Sequence, residues 1–134
     1  MSAKQFNTVQ EACDYAVEKI VSQGGRCFTE GIDGDGVCAY GDGKGNHCAI
    51  GWLLDHDDKE LMQFEGSVMS LAEEGLITDL MADNIEVFVV LQDFHDSYEP
   101  RFRAKWLHQL AHYGINTENP AYQKWVDMCA VGEK

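Results

Sequence analysis

Three polar residues on one apolar stretch carry the richest chemistry in this sequence: Gln92, His95 and Asp96, spaced i, i+3 and i+4. On a helix that spacing sets an amide, an imidazole and a carboxylate on neighbouring faces. Buried polar groups must find partners, so the trio reads either as a satisfied network tying elements together or as the wall of a ligand pocket. Joined by Cys48, the same groups read as a thiol, a base and an orienting carboxylate arranged for nucleophilic attack. The candidate catalytic set is therefore Cys48, His95 and Asp96, and the candidate ligand-binding set is Tyr40, Cys48, Gln92, His95 and Asp96.

Other spacings point away from particular chemistries. Asp33-Gly-Asp35-Gly opens like a calcium loop, but Val37 and Cys38 fall where the next acid and the turn glycine belong, and Lys44 where the closing Glu belongs. Gly43-Lys44 lacks the earlier Gly and the following Ser or Thr of a phosphate-cradling loop. Cys27, Cys38, His47 and Cys48 offer zinc-compatible atoms without a C-x-x-C knuckle. His108 and His112 share a helix face near a C-terminal end, where His also interacts favourably with the dipole. The expectation is no metal and no cofactor.

The elements that must position these groups are marked by caps and breakers. Thr8-Val-Gln-Glu11 is a capping box, followed by apolar residues at spacings of three and four until Gly24-Gly25. A short strand is expected between Arg26 and Glu30. Gly36 to Leu54 reads as a hairpin centred near Gly43 that sets Cys38 opposite Cys48, followed by an apolar run. Short helices follow around Leu61 and from Ser67 to Gly75, with Leu76 and Ile77 dropping back into the core. Asn84 caps Ile85 to Leu91, whose β-branched content resembles a strand but whose unbroken length through His95 favours a buried helix. Pro100 starts a helix with Phe102, Trp106, Leu107, Leu110 and Ala111 as its apolar face, and Asn119-Pro120 starts the last. The expected fold is α+β: one mostly helical domain over residues 1–134 with one small antiparallel hairpin or ribbon.

Composition bounds the partners. Lys and Arg total 10 against 23 Asp and Glu, a net charge of −13, which disfavours direct contact with nucleic acid or anionic membranes. No leader-like or membrane-spanning run is present, so a cytoplasmic location is expected, with the five cysteines reduced.

The quoted motifs resemble a group of small proteins encoded by tailed phages and prophages. That group has a C-x-Y segment, a Gly-containing turn and C-A-[IV]-G, with L-Q-x-x-H-D on a later helix. Here these are Cys38-Ala-Tyr40, Gly43 to Gly45, Cys48-Ala-Ile-Gly51 and Leu91-Gln92-Asp-Phe-His95-Asp96; the resemblance spans Cys38 to Ile115. It departs at Gly41-Asp42, where a basic residue is expected, and at Trp52, where a second cysteine is common. The resemblance implies a phage origin more than an activity, and a small, acidic protein of that origin is expected to be an accessory factor of host takeover or counter-defence in the host cytoplasm. It would bind a host or defence-system protein, or a small signalling nucleotide, without catalysis. Two other classes stay open: an acidic nucleic-acid mimic that inhibits a DNA-binding protein, and a Cys-His-Asp small-molecule hydrolase. Oligomeric state is left open.

Overall fold

The computed structural model describes residues 6–24, 29–30, 36–37, 40, 47–54, 59–62, 67–96 and 100–132; the side chains of 29–30, 36–37, 59–60, 96, 100 and 128–132 fall outside that description. In chain order the helices are α1 (Val9–Gln23), a 3-10 turn (Gly51–Leu53), α2 (Lys59–Met62), α3 (Val68–Glu73), α4 (Asp79–Asp83), α5 (Ile85–Asp96), α6 (Pro100–His112) and α7 (Pro120–Gly132).

The expected α+β class is overturned. Helix takes 72% of the described residues, and no sheet layer exists among them. The extended pairing that is described joins Thr29 to Val37 and Glu30 to Gly36, two residues a side. Of the expected hairpin's second arm, the described residues begin at His47. The Cys48 N–H does reach the Tyr40 carbonyl at 3.3 Å, but the Cys48 carbonyl already accepts the Trp52 N–H at 3.1 Å, so the chain is coiling from Cys48 onward. Glycine and aspartate around the turn also disfavour strand. Cys38, expected opposite Cys48, and the turn at Gly43 lie outside the described residues, as do Arg26 and Cys27.

Caps behave as their sequences require. The Thr8 hydroxyl accepts the Glu11 N–H at 3.1 Å, the Asn7 N–H donates to the Glu11 carboxylate at 3.4 Å, and Gly24 closes α1 at φ 96°. Ser67 caps α3 by accepting the Ser70 N–H at 3.1 Å. One helix escaped the sequence reading. Thr78 caps α4, and Asn84 ends it, donating from its amide to the Leu80 carbonyl at 2.9 Å. Leu76 is 39% exposed and Ile77 only partly buried, because the Leu76 N–H is held by the Leu71 carbonyl in the turn that closes α3 at Gly75.

The choice of helix for α5 holds, and it is the central packing element. Phe88, Leu91 and Phe94 are fully buried, and α3, α4 and α6 pack on it, while α1 packs on α7 and on the 3-10 turn. Burying a large apolar side chain contributes about 1.5–3 kcal/mol, so this row is a principal source of stability. The face of α6 is rotated from the expected one. Arg103 and Leu110 are buried, Trp106 and Leu107 partly so, while Phe102 and Ala111 face out. Arg103 can replace Phe102 inside because its guanidinium lies 3.5 Å over the Trp125 ring and donates to the Trp125 carbonyl at 3.0 Å. Trp125 in turn donates from its indole to the Phe94 carbonyl at 3.2 Å, which ties α5, α6 and α7 together. Among the described residues, no helix is long and apolar enough to cross a membrane.

Candidate functional site

Cys48 to Leu54 is a buried turn, with Cys48, Ala49, Ile50, Leu53 and Leu54 all at 1% exposure or less. Its backbone groups must be satisfied inside the protein, and two glutamines from distant elements do part of this. Gln92 on α5 accepts the Ile50 N–H at 3.3 Å. Gln23, the last residue of α1, brackets His47: its amide donates to the His47 carbonyl at 2.8 Å while its oxygen accepts the His47 N–H at 3.0 Å. The same Gln23 oxygen accepts the Trp52 indole N–H at 3.0 Å. The His47 and Trp52 rings meet edge to face at 4.5 Å, and the Lys19 ammonium lies 5.4 Å over the Trp52 ring.

Within the turn, the Cys48 sulfur accepts the Gly51 N–H at 3.3 Å, as a Ser or Asp oxygen does at a helix start. Gly51 is there for space. A Cβ at this position would overlap the Tyr40 carbonyl oxygen and lie 3.2 Å from the His47 Cβ. The C-A-I-G stretch is thus a turn that needs a small acceptor at its first position and no side chain at its last.

Tyr40, Cys48 and Gln92 are therefore brought to one turn. Tyr40 is 3% exposed and Cys48 fully buried. His95, one helical turn beyond Gln92, is buried and stacks on Trp125, with ring centroids 6.0 Å apart and planes 19° from parallel. Asp96 ends α5, but its side chain lies outside the described residues. Among the described residues no group of three or more His, Cys, Asp or Glu could hold a metal; Cys27 and Cys38 lie outside them. His108 and His112 are exposed on α6.

Two sets of residues were missed by motif reading. Gln23, Trp52 and Arg103 carry no motif, and only the fold gives them partners. The other set is legible in the order of charges. From Glu60 to Pro100 no Lys or Arg occurs, whereas from Pro100 to Thr117 the chain has Arg101, Arg103, Lys105, His108 and His112 and no Asp or Glu. On the surface this leaves Glu73, Glu74, Asp79, Asp83 and Glu86 exposed along α3 to α5, and Arg101, Lys105, His108 and His112 exposed along α6.

Compared with family models, curated proteins and solved structures, the chain has no match.

Proposed function

We propose that the protein is a non-catalytic accessory factor that binds a host or defence-system protein, with its acidic surface steering the encounter. The observation that carries this reading is the placement of Cys48, fully buried with its sulfur taken up by the Gly51 N–H. A thiol in that position serves the turn, and a substrate would have to open the core to reach it. A partner of basic surface is favoured over a small anionic nucleotide, because a net charge of −13 repels free phosphates. The resemblance to phage-encoded proteins supports the role in host takeover or counter-defence.

Alkylation by iodoacetamide near neutral pH tests the chemistry: Cys48 is expected to react only after denaturation. Labelling of the native protein at the unfolded rate would return the hydrolase reading to first place. Pulldown from host cells, followed by a salt series, tests the binding. Reversing Glu73 and Glu74 is expected to slow association and reduce its salt dependence, whereas a folded His95→Ala variant keeps both. If His95→Ala instead abolishes binding and the reversals do nothing, recognition runs through an internal pocket.

A further inference from the structure

Four large hydrophobic side chains are well exposed among the described residues: Met69 at 49%, Leu76 at 39%, Phe102 at 45% and Tyr113 at 43%. They fall into two pairs. Met69 and Leu76 belong to α3 and the turn after it, amid Glu73, Glu74 and Asp79; Phe102 belongs to α6 and Tyr113 to the turn that closes it, amid Arg101, Lys105, His108 and His112.

On α6 the aromatics form a line. At about 100° per residue, Phe102, Trp106 and Tyr113 fall within roughly 60° of arc, so one edge of the helix presents an aromatic row. Basic side chains and an imidazole lie along it. The Arg101 guanidinium sits 4.8 Å over the Phe102 ring, the Lys105 ammonium 5.2 Å over the Trp106 ring, and the His112 ring packs edge-on to Tyr113 at 5.7 Å. Isolated exposed hydrophobics are ordinary, but an aligned aromatic row with a cationic border has the composition of an interface. The protein also carries the matching surface, acidic with its own exposed apolar residues. α3 and α6 both pack on α5, so each surface remains open on the same molecule.

We infer that the protein self-associates head to tail, the cationic aromatic row of α6 docking on the acidic surface of α3 and α4 of a second copy. The two surfaces differ, so the contact is heterologous, and in a pair one copy keeps its α6 row free while the other keeps its acidic surface free, which lets the association extend. Net repulsion between copies is long-range and falls off beyond a Debye length of ~8 Å at physiological salt, leaving the local attraction. Association should therefore be weakest at very low salt. A second copy would compete for the Glu73 and Glu74 surface that the proposed function gives to a basic partner, and sedimentation of the protein alone separates the two because no other partner is present.

Sedimentation velocity of the full chain over a concentration series tests it, with circular dichroism melts confirming that each variant folds. Wild type should gain mass with concentration. Glu73→Lys with Glu74→Lys, Arg101→Glu with Lys105→Glu, and Phe102→Ser with Tyr113→Ser should each weaken association about tenfold or more. Mixing the two charge-reversed proteins should restore it, because the unaltered α6 row of one fits the unaltered α3 surface of the other and the two reversed surfaces also match. Reversing Glu18 and Asp127, exposed on α1 and α7 and part of neither surface, should leave it unchanged or slightly stronger. A wild type that stays monomeric at every concentration, a charge-swap mixture that does not associate, or equal loss from that control reversal would overturn the proposal. So would a monomer that binds poly-glutamate through α6, which would give that row to a different acidic partner.

Discussion

Helix α1 ends in the same device twice, and the two copies differ in what surrounds them. At its first turn Gln10 brackets Asn116, donating to the Asn116 carbonyl at 2.8 Å and accepting the Asn116 N–H at 2.7 Å. At its last residue Gln23 brackets His47 in the same way. Both amides imitate a strand partner for one residue of irregular chain. Around Gln10 the partner is exposed and water can replace the amide; around Gln23 the partner is 8% exposed and Trp52 shares the same oxygen. Identical hydrogen bonds should therefore differ in worth, because a buried group left unsatisfied costs its full desolvation while an exposed one does not.

The largest expected effect lies at the buried end. Gly51→Ala should cost about 3 kcal/mol or prevent folding, since the Tyr40 carbonyl is backbone and cannot rotate away. A variant of near wild-type stability in urea denaturation would mean that the turn is looser than its geometry.

Alkaline pH loads the opposite end. Beside Gln10, Asp14 accepts from both the Gln10 amide, at 2.9 Å, and the Tyr122 hydroxyl, at 2.8 Å. Burial, with the Asp14 charge adding to it, pushes the Cys13 thiol from 9.0 up to about 12, and burial followed by neighbouring negative charge pushes the Tyr122 phenol upward too. Both groups hold protons in the folded state that they lose when unfolded, so stability is complete below pH 9.0 and falls as pH rises toward 12. Denaturation midpoints measured across that range should decline, and Cys13→Ala should remove the earliest part of the decline. A flat profile would show that the thiol and phenol are not held in a dry environment.

Next in size, Gln23→Ala should cost about 2–3 kcal/mol by stranding the His47 backbone pair and the Trp52 indole, whereas Gln10→Ala should cost roughly 0.5 kcal/mol. Equal losses would break the comparison. Trp52→Phe should cost about 1 kcal/mol and be strongly non-additive with Gln23→Ala, because the two changes remove one shared bond. Additivity in that double-mutant cycle would assign the value of Gln23 to His47 alone.

Much of the helical framework was legible because its signals are local. The Thr8 box, Gly24 after α1, Ser67, Pro100 and Asn119-Pro120 each act on the few backbone groups beside them. The link between Gln92 and the Cys48 turn was also legible in outline, since a polar residue at the inner end of an apolar helix needs a partner. Which partner it takes was not. Thr78, a good N-cap, starts a helix that the expected elements do not include, while Asn84 stands directly before α5 as expected, its carbonyl accepting the Val87 N–H at 3.0 Å, and its side chain also closes α4. The expected ribbon failed at Cys48, where a short-range helical bond outcompetes extension, and the expected face of α6 failed at Arg103.

What the sequence by itself determined about this protein is the helix ends, the acidity and the segregation of charge along the chain, all of which depend on residue type and near neighbours. Tertiary structure alone decided that Arg103 goes inside while Phe102 stays out, that Gln23 finds His47, and that the buried Cys48 sulfur accepts the Gly51 N–H. Those outcomes depend on what a side chain meets across the fold: the Trp125 ring, the Trp52 indole, the Tyr40 carbonyl. A residue's own chemistry sets what it can bond, but burial against a particular neighbour sets which bond it makes.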